Sequence, residues 1–314
     1  MMRSTALHRI GLLGINRRNA EYTLRWNDRR FYPRVDDKLR TKELCAKADI
    51  PTPKLLGIAR AQGDVDPMLR SLEGQGAFAL KPSRGSMGNG ILVVREQADG
   101  RFRRSGGAWI SLDDLDYHAS GILSGLYSLG GQPDSVFAEE CLEIHSELRP
   151  ICFDGVPDIR IVVHRGVPVM GMTRLPTARS RGRANLHHGA VGAGIDLSTG
   201  RTTHAVVGTT PTLVHPDTDE TVVDVPLPDF DRTLEIAVRA TDETELGYVG
   251  ADVVVDERYG ALILELNARP GIAIQMANRA GLLPRLEAIA ERWRPGMSVD
   301  DRLALGREIG AEHA

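Results

Sequence analysis

The stretch "YVGADVVVDERYGALILELNARPG", residues 248–271, decides how this chain folds. Two apolar runs flank "DERYG", and Gly260 is free to take the positive φ that a tight turn needs. The segment therefore reads as two antiparallel strands. A turn over 257–260 sets Asp256 opposite Ala261, Asp252 opposite Glu265 and Gly250 opposite Asn267. Side chains alternate along a strand. One face is then predicted to carry Val253, Val255, Leu262, Leu264 and Leu266, and the other Asp252, Glu265 and Asn267. Two carboxylates directly opposed repel each other, so a cation is expected between them. Oxygen donors with no His or Cys nearby suit Mg2+ or Mn2+. The plain alternative is a solvated polar face.

A second stretch points the same way. "LKPSRGSMGNGILVV", residues 80–94, is glycine-rich but fits neither G-x-x-x-x-G-K-[ST] nor G-x-G-x-x-G. Its glycines at 85, 88 and 90 lead into an apolar strand, so the loop is predicted as a hairpin tip. Backbone N–H groups there can close over phosphates, and Lys81 ends the preceding strand within reach of them. A flexible surface turn with a solvated lysine reads equally well from this loop alone. Glycine lid, lysine and an oxygen-ligated divalent ion together point to a nucleoside triphosphate.

The rest of the chain narrows the class. Its 314 residues suggest about two domains and need no covalent staples. A hydrophobic share of 42%, a charged share of 26% and a net charge of −3 describe a soluble globular protein, with no global pull toward nucleic acid or an anionic membrane. Three cysteines, Cys45, Cys141 and Cys152, form no C-x-x-C pair, which argues against a disulfide framework or a cysteine-rich zinc site. "IGLLGI" near the start is too short for a signal sequence, and no run approaches a membrane span. A reducing, cytoplasmic location is expected.

Helices are predicted over about 36–50, 112–126, 231–246, 275–292 and 299–312. Strands are predicted at 77–82, 90–96, 135–142, 158–166 and 167–175, with a turn at Arg165-Gly166. A polar tip follows the 90–96 strand, and a long Gly/Arg/His-rich loop is expected from about 176 to 194. The mixture reads as α+β.

In this order the motifs resemble the ATP-grasp superfamily, and within it the ribosomal-protein α-L-glutamate ligases and their glutamate ligase-like relatives. The likeness runs from about Asp36 to about Ala290. "DDKLRTKELCAKADIPTP" is similar to the family's opening helix and gives Lys38 as an ATP-contacting lysine. "FALKPSRGSMGNGI" is similar to the second lysine, Lys81, and its lid, with Ser86, Met87 and Gly88. "VFAEECL" resembles the adenine hinge, placing Glu140 and Cys141 at the adenine and ribose positions. Glu139 is the other candidate for the hinge carboxylate. "PDIRIVV" resembles the D-I-R strand, with Asp158 and Arg160. "RANLHHGA" resembles the R-S-N-L-H-R-G-G loop, with Arg183 and Asn185 at phosphate and metal-side positions. The opening hairpin matches the paired metal strands, with Asp252, Glu265 and Asn267.

The resemblance implies two α+β subdomains clasping ATP between them. The expected division is an arm over 1–35, a first subdomain over 36–134 with an insertion at about 97–134, a second over 135–296, and a terminal helix over 297–314. The family's ligases carry a domain of many tens of residues before the first helix, where here only about 35 residues precede it.

The resemblance further implies a carboxylate–amine ligase working through an acyl phosphate, with ATP and two Mg2+ or Mn2+ ions. Glu265 would bridge the ions, with Asp252 and Asn267 taking one each. Arg183 would stabilise the transferred phosphoryl group. The loop "TRLPTARSRGRANLHHG" also offers Arg174, Arg179 and Arg181. It reads as capture of an acidic substrate by bidentate pairs, as a solvated basic loop, or as a weak nucleic-acid patch. His187 reads as a loop hydrogen-bonder. Arg269 reads as a substrate contact or a brace for its turn. An amino-acid or peptide substrate is expected, with no nucleic acid and no membrane, and with a homo-oligomer left open. A phosphotransferase and a non-catalytic nucleotide-binding module are the competing readings.

Overall fold

The computed structural model describes residues 10–85, 88–128 and 131–313. Ser86 and Met87 of the predicted lid lie outside the described residues. The chain divides into two compact units. One comprises residues 1–35, 40–52 and 143–314, and the other residues 36–39 and 53–142.

The smaller unit holds a six-stranded antiparallel sheet. Its strands are β1 (Leu55–Ala59), β2 (Phe78–Pro82), β3 (Leu92–Ala98), β4 (Arg101–Arg104), β5 (Trp109–Ile110) and β6 (Val136–Glu140), in the order β1-β6-β2-β3-β4-β5. Alternation on β2 and β6 turns Phe78, Leu80, Val136 and Ala138 into a core with Leu69, Leu115 and Ile122 from the helices Val65–Ser71 and Leu112–Leu123. Ser111 caps the second helix by accepting from the Asp114 N–H, while the Asp114 carboxylate accepts from Ser111 N–H. The tip predicted after β3 is itself stranded, as β4 and β5. "RFRR" carries one apolar residue, Phe102, which is buried against Phe78.

The larger unit holds a seven-stranded antiparallel sheet. Its strands are β7 (Asp158–His164), β8 (Val167–Leu175), β9 (Val191–Ile195), β10 (Thr202–Val207), β11 (Thr210–Thr212), β12 (Tyr248–Asp256) and β13 (Gly260–Asn267), in the order β11-β10-β9-β8-β7-β12-β13. One face meets the helix Phe230–Asp242 through Ile159, Ile161, Val249, Ala251, Val253 and Val255. The other meets the helices Ile274–Asn278, Leu282–Arg292 and Val299–Glu312 through Val162, Met170, Met172 and Tyr248.

Three strands of the larger unit escape the sequence reading, as β1, β4 and β5 of the smaller unit do. β9, "VGAGI", lies inside the predicted loop because glycine and alanine signal a turn, yet it is wholly buried. A Cβ at Gly194 would sit 2.6 Å from the carbonyl oxygen of Ala277. The glycine is there because a helix crosses that close, not because the chain turns. β10 and β11 follow it at the sheet edge.

The region expected as an arm carries one continuous helical stretch. Residues 15–26 are helical throughout, with a π-helical centre at Arg18–Thr23. Asn27 then accepts from Tyr248 N–H and donates to the carbonyls of Tyr248 and Ala268, tying the segment to β12 and to the residue just after β13. Trp26 and Trp293 both lie against the Arg165 guanidinium, at 4.9 and 3.6 Å from ring centroid to Cζ, whereas Trp109 lies in the smaller unit's sheet.

The predicted helix over 275–292 is two helices. Arg279, in the left-handed region at φ 51°, separates them.

Candidate active site

The hairpin β12–β13 keeps its predicted register at the acidic end. Asp252 faces Glu265, and Gly250 faces Asn267. Toward the turn the register shifts by one. Val253 pairs with Ile263 and Asp256 with Gly260, so Leu264 is an extra residue in a β-bulge. This corrects the predicted apolar face. Ala261, Ile263 and Leu266 enter the core beneath the Phe230–Asp242 helix, whereas Leu262 and Leu264 do not. Across a bulge the alternation loses its parity, and a strict period of two misplaces every residue on the turn side.

Asp252 is buried, with neighbours that the hairpin alone does not show. β7 lies on its other side, and the register sets Asp252 directly opposite Arg160. Arg160 holds both carboxylate oxygens, Nε to Oδ1 at 2.7 Å and Nη2 to Oδ2 at 2.6 Å. One strand further on, Arg174 of β8 faces Asp158 of β7. Arg174 donates from Nε to Asp158 Oδ1 at 2.6 Å, from Nη2 to Asp158 Oδ2, and from Nη2 to Asp252 Oδ2 at 2.8 Å. Two carboxylates and two guanidiniums thus alternate across three strands, on the face turned away from the Phe230–Asp242 helix. The cation expected beside Asp252 is supplied, in part, by arginine.

The titration of these groups follows from burial against pairing. Burial alone would raise Asp252, but Arg160 and Arg174 outweigh it and hold the carboxyl below the ordinary range. Asp158 goes the other way. Burial, with the Asp252 charge adding to it, lifts it to about 6 even with Arg174 alongside. Burial alone would lower Arg174, but the two carboxylates raise it. With Nε and Nη2 spent on carboxylates and the residue 8% exposed, Arg174 is a brace for Asp158 and Asp252 rather than an open arm for substrate.

Glu265 and Asn267 remain partly accessible. Asn267 places its side-chain nitrogen 3.4 Å from Asp252 Oδ2. Among the described residues no three His, Cys, Asp or Glu side chains gather around one point. The candidate metal set is therefore two carboxylates and one carboxamide, hard oxygen donors that fit Mg2+.

Asn185 caps the short helix Leu186–His188 by accepting from His187 N–H at 2.9 Å. Arg183, on the same loop, is exposed, and its guanidinium has no hydrogen-bond or ion-pair partner among the described residues. The His187 and His188 side chains are likewise exposed.

In the smaller unit, Lys38 Nζ donates to the carbonyl of Gly85 at 2.6 Å, at the root of the glycine loop. Leu39 N–H bonds to Asp37 Oδ1 at 3.1 Å, and Lys38 N–H to the Ser83 carbonyl at 2.9 Å, fixing the helix start beside that loop. Gly88 follows at φ 74°.

Lys81 forms an ion pair with Glu139. Ala79 faces Glu139 and Lys81 faces Phe137 across β2 and β6, so Lys81 and Glu139 share the sheet face opposite the core. Alternation held this signal. Two residues apart on β6, Phe137 and Glu139 follow Lys81 and Ala79, whereas Glu140 belongs to the other parity. Glu140 is half-buried, and its N–H donates to the Lys54 carbonyl at 3.0 Å. Cys141 N–H goes to Ala77, and burial pushes its thiol up.

The chain as a whole has a counterpart among protein families. The model of the sugar-transfer associated ATP-grasp family matches residues 17–291. This chain belongs to that family. Its mixed α/β architecture, two antiparallel sheets with helices, is the ATP-grasp fold. The match establishes the ATP-grasp assignment without singling out the ribosomal-protein glutamate ligases.

No curated protein matches the sequence. Among solved structures, the ATP-grasp chain is similar to the ATP-grasp ligase PsnB complexed with minimal precursor. The identity is 15% over 85% of this chain and 64% of that one, with a TM-score of 0.47. D-alanine–D-alanine ligase from Bacillus anthracis complexed with ATP gives 14% identity over 90% and 68%, with a TM-score of 0.45. The ADP complex of purK, N5-carboxyaminoimidazole ribonucleotide synthetase, gives 13% over 76% and 46%, also at 0.45. The chain thus spans less than two thirds of the PsnB and purK chains.

Proposed function

We propose that this protein is an ATP-dependent carboxylate–amine ligase acting on an acidic amino acid or peptide. The observation that carries the reading is the β12–β13 hairpin, with Asp252 across from Glu265 and Asn267 on the same side, in a chain of the ATP-grasp family. Lys38, Lys81 and the glycine loop with Ser86, Met87 and Gly88 bind the phosphates of ATP. The hinge around Glu140 and Cys141 takes the adenosine. Asp252, Glu265 and Asn267 hold Mg2+ or Mn2+, two ions in this reading, which offset the charge on the transferring phosphoryl group when bound.

The reaction needs ATP because a free carboxylate is a poor electrophile. A substrate carboxylate oxygen attacks the γ-phosphorus and ADP leaves. The amine nitrogen then attacks the acyl carbon, phosphate leaves with the C–O electron pair, and the nitrogen loses a proton. Arg183, exposed and without a carboxylate partner among the described residues, stabilises the phosphoryl oxygens. Arg160 and Arg174 act one layer back. They hold Asp252 ionised and fixed in direction, and Asp158 holds Arg174. Asn185 sets the loop that carries Arg183.

Product analysis with ATP, Mg2+ and a panel of amino acids and peptides tests this. ADP, free phosphate and a new amide mass, all dependent on the amine, are expected. A phosphorylated acceptor in place of the amide would instead make the protein a phosphotransferase.

A further inference from the structure

Arg18 opens the π-helical turn Arg18–Thr23 and is 6% exposed. Its Nε and Nη1 are shut off from solvent and have no hydrogen-bond partner among the described residues. Tyr248 Oη, also buried, is in the same condition. The groups that act electrostatically on the Arg18 guanidinium are Tyr248, Arg269 and Tyr32, none of them a carboxylate. Arg269 adds like charge. It is exposed, lies over the Tyr32 ring at 5.2 Å, and forms no ion pair among the described residues.

Other buried arginines of the same unit are answered at both terminal nitrogens or by carboxylates, although Arg285 Nε, like Arg18 Nε, has no partner among the described residues. Arg174 has two carboxylates, and Arg285 ends on the carbonyls of Val169 and His313. Residues 1–9, 86–87, 129–130 and 314 include no Asp or Glu that could answer Arg18. A buried cation with unmade hydrogen bonds is costly, and a second guanidinium beside it adds to the cost. An oxyanion would satisfy Arg18, Arg269 and the Tyr248 hydroxyl at once.

Its place in the fold says what kind of anion. Tyr248 and Asp252 stand on the same face of β12, four residues and therefore roughly 13 Å apart. Arg269 follows Asn267 by two residues. We propose that Arg18 and Tyr248, with Arg269 at the opening, form a subsite for a second anionic group of the substrate, a carboxylate or phosphate distinct from the carboxylate that is activated. The subsite as an oxyanion site stands on the buried, unpartnered polar atoms of Arg18 and Tyr248. Its assignment to substrate rests on the ligase reading.

Two arms test it. The first uses no ATP. Thermal unfolding of the whole chain is followed against inorganic phosphate or succinate, at constant ionic strength in chloride. One of the two is expected to raise Tm by several degrees, naming the anion class, and Arg18→Met and Tyr248→Phe are each expected to lose the rise. In chloride alone, Arg18→Met is expected to keep or raise Tm, because it removes an unanswered cation. No anion-dependent rise, or an equal rise in both variants, overturns the subsite. The second arm is kinetic. Arg18→Met should raise KM for the acidic substrate about 10- to 100-fold, the loss of a charged hydrogen-bond pair, with KM for ATP unchanged. An unchanged substrate KM beside a lost Tm response overturns the assignment to substrate. Absence of any ligation leaves the first arm intact, so the two failures are separable.

Discussion

Asp252 and Glu265 face each other across one hairpin yet ask different things of a mutation. Asp252 is buried between two guanidiniums, so Asp252→Ala leaves Arg160 without its carboxylate and Arg174 with Asp158 alone. The expected cost is about 3–5 kcal/mol in chemical denaturation. Glu265 is partly accessible, so Glu265→Ala should leave the denaturation midpoint nearly unchanged while abolishing turnover. Full activity in that variant would remove the bridging role. Lys81→Ala should weaken ATP binding, measured by calorimetry, and also remove the ion pair with buried Glu139. Lys81→Arg separates the two effects by restoring the pair alone. The acidic residues were legible in the sequence because their spacing matches a strand. The arginines that hold Asp252 were not legible as its partners, since Arg160 and Arg174 lie 92 and 78 residues away and only strand order brings them together.

At the scale of elements, most helices and the central strands follow from period and punctuation. The Arg165-Gly166 turn between β7 and β8 has both residues at positive φ, 51° and 73°, as a tight hairpin requires. The bulge at Leu264 left no mark that a two-residue period could register, because leucine and isoleucine fill 262–264 whichever face they take. β9 was hidden for the opposite reason. Its glycines serve a close crossing, and glycine in a strand reads as a break. Gly194→Ala should therefore destabilise the larger unit by about 1–3 kcal/mol, since the new methyl meets backbone rather than a movable side chain. A Tm equal to that of the parent would show that the Ala277–Asn278 turn yields.

For the whole molecule, the ATP-grasp fold was readable from one sequence, whereas the narrower likeness to glutamate ligases was not established. The pH response is a property at this scale. His164 is buried against Tyr22, Trp26 and Tyr248 and bonded to the Gly247 carbonyl, and burial lowers it from 6.5 to about 4. Between those values the unfolded chain binds a proton that the folded chain refuses. Stability from this group is thus complete above about pH 6.5 and lost as pH falls toward 4, on the order of 3 kcal/mol. Asp158, raised to about 6, carries the opposite sign over part of the same range. The clean measurement is the difference between the parent and His164→Gln, whose stability should fall less steeply on acidification. Parallel profiles would mean that His164 is protonated in the fold.

The three tryptophans turn this architecture into an optical instrument. Trp26 and Trp293 share the larger unit with Arg165 between them, while Trp109 stands in the smaller unit's sheet. A Trp109→Phe protein emits from the larger unit alone. A protein with Trp26→Phe and Trp293→Phe emits from the smaller one alone. Melts of the two proteins under the same conditions would then time the loss of each sheet separately, with no dye attached.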